Sequence, residues 1–330
     1  MKIFFVSNPG SKIVVRRGGI YIVKRNKNGV EKVVVPPDVD SIIVASSKIG
    51  ISSKAIRLAA SRGIDIVFLD FRGYPIARVY PTIINKTVVT RIAQYNLFQK
   101  DYGVELAKEF AYLKIVNQAE LLRYLAKSLR REDVREAAYQ VDSVATELRL
   151  AEDTKISIDE IRQLEARAAR IYWQTIASIL PPELGFSGRD QEAKDIFNMA
   201  LNYGYGILYN TCEKSLLIAG LDPYLGVLHT TKSGKPSLTL DFVEMFRSIA
   251  VDKPLIINVK RTKLETSGDR LDYESRKIVA KIVLDNLSHA HMYNKIGRRV
   301  QLSEIIMREA WELALSIREG KKYKGFRAVL

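Results

Sequence analysis

The sequence predicts an α+β protein, with a β-rich, sandwich-like N-terminal domain over residues 1–85 and a larger all-α domain over residues 86–330. Three observations predict it. Before about residue 85 the apolar runs are short, β-branched and punctuated by Gly, Pro, Asn and Asp. From about Thr87 the apolar period becomes that of a helix. A length of 330 residues, against about 150 for a typical domain, leaves room for two.

The candidate strands are Ile3–Val6, Ile13–Val15, Ile20–Val23, Val33–Val35, Ile42–Ala45, Ile64–Leu69 and Ile76–Val79. Asn28-Gly29, between Ile20–Arg25 and Val30–Val35, is a two-residue hairpin signal, because both residues tolerate positive φ. Ser53–Arg62 reads as one short helix ended by Gly63. In the second part, Lys108–Arg130 carries Phe110, Leu113, Val116, Leu121, Leu122 and Leu125 at helical spacing. Ser157-Ile-Asp-Glu160 is a capping box, in which the Ser side chain accepts a backbone N–H and Glu160 reaches back. The helix it opens runs to Leu180, because Pro181-Pro182 cannot continue it. Asp190–Ala219, ended by Gly220, Leu240–Ala250, Leu271–Asn286 and Gln301–Ile317 complete the set.

Hydrophobic residues at 47% and charged residues at 27% exclude a largely disordered chain. Lys and Arg number 52 against 37 Asp and Glu, a formal charge of +15 that favours a polyanionic partner. Seventeen of those cations and only five of the acids fall within residues 1–100, so a basic face is expected on the N-terminal part. The alternative is strand side chains that merely face water. Cys212 is the only cysteine, which excludes an internal disulfide and a Cys-based zinc cluster. No run of about 18 apolar residues is present, so no spanning helix and a reduced cytoplasmic compartment are expected.

Three histidines are available. His289 and His291 are two apart, on different faces of a predicted helix, and make a poor metal clamp. His229 stands at the edge of a polar loop over Thr230–Pro236. After it, Asp241 and Glu244 share one helix face, with Arg247 a turn further on and Phe242, Met245 and Ile249 opposite. Two acids near an Arg are either a solvated ion-pair ladder or, beside an imidazole, an open metal site for phosphate chemistry. A third acid, Glu165, lies beside the apolar stripe Leu164, Ala168, Ile171, Thr175 and Ile179. Spacing alone does not bring Glu165, His229 and Glu244 together.

Four segments in order carry a family resemblance. They are Glu165-Ala-Arg-Ala-Ala-Arg-Ile-Tyr-Trp173; Phe186-Ser-Gly-Arg189 with Asp195-Ile-Phe-Asn-Met-Ala-Leu-Asn-Tyr-Gly-Tyr205; Ala219-Gly-Leu-Asp-Pro-Tyr-Leu-Gly-Val-Leu-His229; and Ser237-Leu-Thr-Leu-Asp-Phe-Val-Glu-Met-Phe-Arg247. Together they resemble the CRISPR-associated endonuclease Cas1, the integrase subunit of spacer acquisition. The likeness is close over residues 160–250 and looser at the N-terminal part, Gln94-Tyr95 and Lys114–Gln118. Ala166 stands where most members have glycine and Ser248 where proline is frequent; neither is a ligand position.

The resemblance implies a metal-dependent DNA endonuclease and integrase that binds Mg²⁺ or Mn²⁺ through Glu165, His229 and Glu244, with Asp241 as a supporting or shared acid. Oxygen ligands plus one imidazole suit those ions. With a DNA 3′-hydroxyl as nucleophile the reaction is strand transfer; with water it is cleavage. Arg247, Arg167 and Arg170 then become candidate phosphate clamps or, alternatively, structural ion-pair partners. Tyr172, Tyr205 and Tyr224 are candidates to stack on splayed bases, or else half-buried core residues. The implied partners are prespacer duplex and CRISPR repeat DNA, a second copy through the N-terminal domain, and the small subunit Cas2; no membrane is implied. Two competing functions are a non-catalytic DNA-binding scaffold and a hydrolase of small phosphate esters. The absence of a G-x-x-x-x-G-K-S/T loop argues against the second.

Overall fold

The computed structural model describes residues 2–26, 29–79, 87–98, 101–151, 156–229 and 234–330. Asn28 and the expected boundary at 85/86 lie outside them. The N-terminal part contains β1 (Ile3–Val6), β2 (Lys12–Arg16), β3 (Gly19–Asn26), β4 (Gly29–Val34), β5 (Ser41–Val44), β6 (Gly50–Ile51), α1 (Ser53–Ser61), β7 (Asp65–Leu69) and β8 (Pro75–Val79). One sheet has the order β1-β5-β7-β8, parallel except for β8; the other runs β4-β3-β2-β6. Every expected strand is present, and the short β6 is an addition.

Period-2 alternation sorts the strands' side chains between two cores. Ile42 and Ile66 point into the sandwich with Ile13, Ile20 and Ala55 and Ala59 of α1. Ile43 and Val67 point the other way, into the helical core. That is why β5 is buried at all four positions, as expected of a central parallel strand covered on both faces.

The remainder comprises α2 (Thr87–Phe98), α3 (Asp101–Leu129), α4 (Glu132–Leu150), α5 (Ile158–Ile179), α6 (Ile196–Ile218), α7 (Ser237–Val243), α8 (Lys253–Asn258), α9 (Tyr273–Ser288), a hairpin of β9 (Ala290–Tyr293) and β10 (Arg298–Gln301), and α10 (Leu302–Glu319). The part is mostly helical rather than all-α, because β9 and β10 pair antiparallel where a helix end was expected. The capping box forms as read, with Ser157 accepting from the Glu160 N–H and Glu160 accepting from the Ser157 N–H. Asp195 caps α6, so that helix begins at Ile196 and not near Asp190. The expected helix over Leu240–Ala250 is broken. α7 stops at Val243, a tight turn follows, and Ser248–Asp252 forms a π-helical turn.

Nearly all of α6 is buried, so its apolar residues surround the helix instead of forming a stripe. The N-terminal sheet rests directly on it. A Cβ at Gly206 would lie 1.9 Å from the Gly73 carbonyl oxygen, so only glycine lets the β7–β8 turn approach this closely. Below that contact, Arg78 of β8 donates to Asp65 (2.5 Å), Asn210 Oδ1 (2.6 Å) and Glu213 (2.9 Å), and Lys214 donates to Asp65 (2.7 Å). Gly206→Ala is therefore expected to cost about 1–3 kcal/mol or more through overpacking, read as a lowered denaturation midpoint. An unchanged midpoint would show that the turn does not bear on α6.

Candidate active site

The loop from Leu221 to His229 is held at both ends by side chains that bond its backbone. At its start, Gln94 of α2, fully buried, accepts from the Asp222 N–H (2.8 Å) and donates to the carbonyls of Asp222 (2.9 Å) and Leu225 (3.2 Å). The Tyr95 hydroxyl donates to the Asp222 carboxylate. At its end, the buried Asp241 accepts from the N–H groups of Val227 (2.6 Å), Leu228 (3.0 Å) and His229 (2.8 Å). A Cβ on Gly226 would meet Asp241 Oδ2 at 2.7 Å, so this wrap requires glycine. Asp241 Oδ1 also lies 2.7 Å from His229 Nδ1. An ionised carboxylate can only accept, so Nδ1 carries a proton, and it is Nε2 that bears the lone pair whenever the ring is neutral.

Glu244 follows the end of α7 with its side chain 1% exposed. Arg247 lies 2.9 Å from Oε1 and Lys114 of α3 lies 2.9 Å from Oε2. Lys114 also donates to Glu165 of α5. Burial pushes the Glu244 carboxyl up, but Arg247, Lys114 and His229 outweigh it and hold the group down at about 2. Burial alone would lower the Lys114 ammonium; Glu244 and Glu165 raise it instead. Oε2 has the ammonium charge beside it but no aligned hydrogen bond, leaving a buried carboxylate oxygen with spare coordinating capacity. The solvated-ladder alternative does not survive this burial.

The π-helical turn gathers Glu244, Arg247, Ser248 and Asp252 onto one wall of a cleft of about 590 Å³, faced by Lys114, Ala166, Ala169 and Arg170. Asp252 is buried and accepts from the hydroxyls of Tyr205 (2.6 Å) and Tyr172 (2.8 Å). Burial raises its carboxyl to about 6 despite those two donors. The guanidinium of Arg247 lies 4.9 Å above the Tyr205 ring and donates to the Tyr209 hydroxyl.

Glu165 and Glu244, far apart in sequence, thus meet one ammonium, and His229 lies within electrostatic reach of Glu244. Among the described residues no three His, Cys, Asp or Glu side chains are placed to hold one metal ion, the expected set Glu165, His229 and Glu244 included; Lys114 stands between the two glutamates. Asp241, with both oxygens engaged by the loop, orients His229. Arg247 and Arg170 line the cleft. Arg167 does not: it pairs with Glu147 beside a separate cleft. Tyr172 and Tyr205 offer no open ring to a base, being 0% and 1% exposed with both hydroxyls on Asp252. The stripe expected on α5 is rotated accordingly, with Tyr172 and Ile176 buried beside Ala168 and Ile179. Tyr224 is exposed. His289 caps α9 and His291 sits on β9, where burial holds its ring down at about 4. Residues 230–233 of the expected polar loop lie outside the described residues.

Gln94, Lys114 and Gly226 lie in segments of family likeness but are given no role by the sequence, and Asp252 is not marked at all. Lys114 and Asp252 each interrupt an apolar run, Leu113 to Val116 and Ile249 to Ile257, and that interruption was the available signal.

A largely buried charge cluster of two carboxylates and two cations beside a basic cleft, on a β-then-α fold, is the kind of arrangement found in proteins that handle phosphate. The family model for CRISPR associated protein Cas1 matches residues 4–293. A protein of Hyperthermus butylicus named CRISPR-associated endonuclease Cas1 is 40% identical over 98% of this chain and 98% of its own. The structure of a casposase bound to integration product superposes with a TM-score of 0.85 at 24% identity, covering 98% of this chain and 93% of that one. A Cas6-RT-Cas1–Cas2 complex gives 0.78 at 17% identity, over 100% of this chain and 36% of that one. The chain belongs to the Cas1 family of CRISPR-associated proteins. No described helix is long and apolar enough to cross a membrane.

Lys114→Met removes the cation shared by Glu165 and Glu244. In metal-free protein it is expected to destabilise by up to about 3–5 kcal/mol, and Mn²⁺ is expected to raise its melting temperature more than that of wild type. Melting curves in chelator and in Mn²⁺ check this; equal Mn²⁺ responses would separate the ammonium from any cation site. Asp252, raised from 3.8 to about 6, binds its proton more tightly folded than unfolded. Its contribution is fully present below about 4 and lost as pH rises through about 6. Asp252→Asn is expected to flatten the fall in denaturation midpoint between pH 5 and 7; an unchanged slope would contradict the assignment.

Proposed function

We propose that the chain is a divalent-metal-dependent DNA endonuclease and integrase of CRISPR adaptation, joining the 3′-hydroxyl of spacer DNA to repeat DNA by transesterification. The observation that carries this reading is the meeting of Glu165 and Glu244 on one cation, Lys114, with His229 held by Asp241 close by. The donor types suit Mg²⁺ or Mn²⁺: two carboxylates, one of them with a buried oxygen that meets only the Lys114 ammonium, and an imidazole whose Nε2 is not engaged by Asp241; an ion would take the place of that ammonium. Glu165, Glu244 and His229 would hold the ion. When bound, it supplies Lewis-acid activation of a phosphodiester and charge stabilisation of the leaving oxygen.

The chain's own residues do the rest. Asp241 keeps the proton on Nδ1, so the imidazole presents Nε2 without having to choose a tautomer. Arg247 pins Glu244 in its ionised form, and its low pKa keeps it charged across the physiological range. Arg170, on the exposed wall, is placed to hold a phosphate oxygen, with Arg189 further along the same cleft. Water and a 3′-hydroxyl differ only in the attacking oxygen, so one cleft serves cleavage and joining. The partners proposed are prespacer and repeat DNA, a second copy of the chain, and Cas2; the names of the casposase and Cas6-RT-Cas1–Cas2 structures support the first and last. The basic N-terminal hundred residues suit DNA lying across the assembly.

His229→Ala is expected to lose cleavage and joining by 100-fold or more, on the order of a removed metal ligand, while keeping DNA affinity within about two-fold. Integration of a 3′-hydroxyl oligonucleotide into supercoiled plasmid, with and without chelator, measures it. Wild-type protein that binds DNA but joins nothing with Mn²⁺ would leave the scaffold reading in its place, and near wild-type joining by the variant would refute the role of His229.

A further inference from the structure

The charged layer of the cleft repeats about one turn further on with uncharged groups. Gln118 stands four residues after Lys114 on α3, Ala169 four after Glu165 on α5, and Ser248 four after Glu244. All three line the same cavity of about 590 Å³. Gln118 is 4% exposed and Ser248 2%, yet among the described residues Gln118 Oε1 and Ser248 Oγ have no hydrogen-bond partner. A buried polar atom left unpaired is costly, so each such atom in a folded protein calls for a reason. Gln174, Ser187 and Gln191 line the cleft as well, but they are exposed, where water satisfies them.

Lys114, Arg170, Arg189 and Arg247 on the cleft walls can only donate, which suits phosphate oxygens. The carboxylates of the cleft can only accept, and they are engaged. Glu244 meets Arg247 and Lys114, each at 2.9 Å, and both oxygens of Asp252 take tyrosine hydroxyls. Gln118 Oε1 is therefore an uncharged, buried acceptor that no donor of the cleft occupies, with the Ser248 hydroxyl, able to donate and accept, lining the same cavity. An amide carbonyl in that place suits a ligand with an O–H to give. In phosphodiester cleavage and joining the group that brings an O–H is the nucleophile, a water or a 3′-hydroxyl.

We infer that Gln118, with Ser248, receives the O–H of the attacking hydroxyl and turns its lone pair toward phosphorus, about one turn beyond the layer of Lys114, Glu165 and Glu244. The inference rests on the reading of the cleft as a site of DNA cleavage and joining. In that reaction the bond from the hydroxyl oxygen to phosphorus forms as the bond to the leaving oxygen breaks. An amide carbonyl accepts the hydrogen bond without taking the proton, so the nucleophile's proton passes to solvent water and the leaving oxygen takes one up. Glutamine side chains orient attacking water in this way in phosphoryl transfer. A 3′-hydroxyl is tethered by its own strand and a water has no such tether, so cleavage depends on Gln118 more than joining does.

The test uses the full chain with Mn²⁺ and follows two rates, nicking of supercoiled plasmid and joining of a 3′-hydroxyl oligonucleotide to it. Gln118→Met keeps the length of the side chain and removes the amide, and Gln118→Glu keeps an acceptor. Gln118→Met is expected to slow nicking roughly 100-fold and joining roughly ten-fold, with KM for DNA within about two-fold of wild type. Gln118→Glu is expected to hold the ratio of the two rates within about two-fold of wild type. In chelator the melting temperature of Gln118→Met is expected to hold or to rise by about 1–3 °C, because an unpaired buried amide has been removed. A lowered melting temperature with equal loss of both rates would make the amide a structural group and overturn the inference, as would undiminished rates. Wild-type protein that neither nicks nor joins would instead remove the reading on which the inference rests, and the inference with it.

Discussion

Glu244 carries a full negative charge in the interior, and much of the helical region is arranged around making that tolerable. Taking a carboxylate out of water costs several kcal/mol unless compensating charge lies within contact distance. Arg247 lies one turn along the same segment and Lys114 comes from α3, so Glu244 is compensated from two directions. Lys114 then recruits Glu165 from α5. One charge problem thereby fixes the relative positions of three elements whose sequence separation would otherwise leave them independent. Arg247 is in turn braced by Tyr205 and Tyr209 of α6, the buried helix on which the N-terminal sheet also rests.

A second set of contacts works on backbone instead of charge. From Ala219 to His229 the chain has no helix or strand to satisfy its polar groups, and buried N–H groups must find acceptors. Asp241 takes three consecutive ones, and Gln94 takes Asp222 while returning two donors to carbonyls. The carboxylate that satisfies the backbone of His229 also fixes its ring, so loop stability and imidazole tautomer are settled by the same residue. Separating the two functions by mutation is accordingly difficult, since any change at Asp241 moves both.

Elements with a local cause were legible in the sequence. Asn and Gly punctuation, the Ser157–Glu160 box and Pro181-Pro182 act within a few residues, and β1 to β5, α1 and α5 appear where that chemistry puts them. Elements with a distant cause were not. After Val243 the backbone stays right-handed through Glu244 and Arg247 but its bonds tighten to the third residue back before widening into the π-turn, and nothing in Asp241–Arg247 itself marks that change. The orientation of α5 was misjudged for the same reason: Tyr172 looks like an amphipathic surface residue until Asp252, eighty positions later, offers its hydroxyl a buried acceptor. Glu165, His229 and Glu244 stand in the close motif likeness; Lys114, which joins two of them, lies in a segment of looser likeness and is otherwise visible only as a cation inside an apolar stretch.

Charge balance along the cleft explains why those particular residues sit together. Lys114, Arg170, Arg189 and Arg247 outnumber Glu244 and Asp252 on its walls. An approaching phosphodiester therefore meets a positive field even before any ion is considered. The negative charge that remains is concentrated at Glu165 and Glu244, at the one point where a cation already sits. A wall of cations with a single anionic niche suits a polyanion better than a neutral ligand. Within that niche Lys114 and Arg247 together match the charge of the two carboxylates, so the excess positive charge of the cleft comes from Arg170 and Arg189 on its other walls.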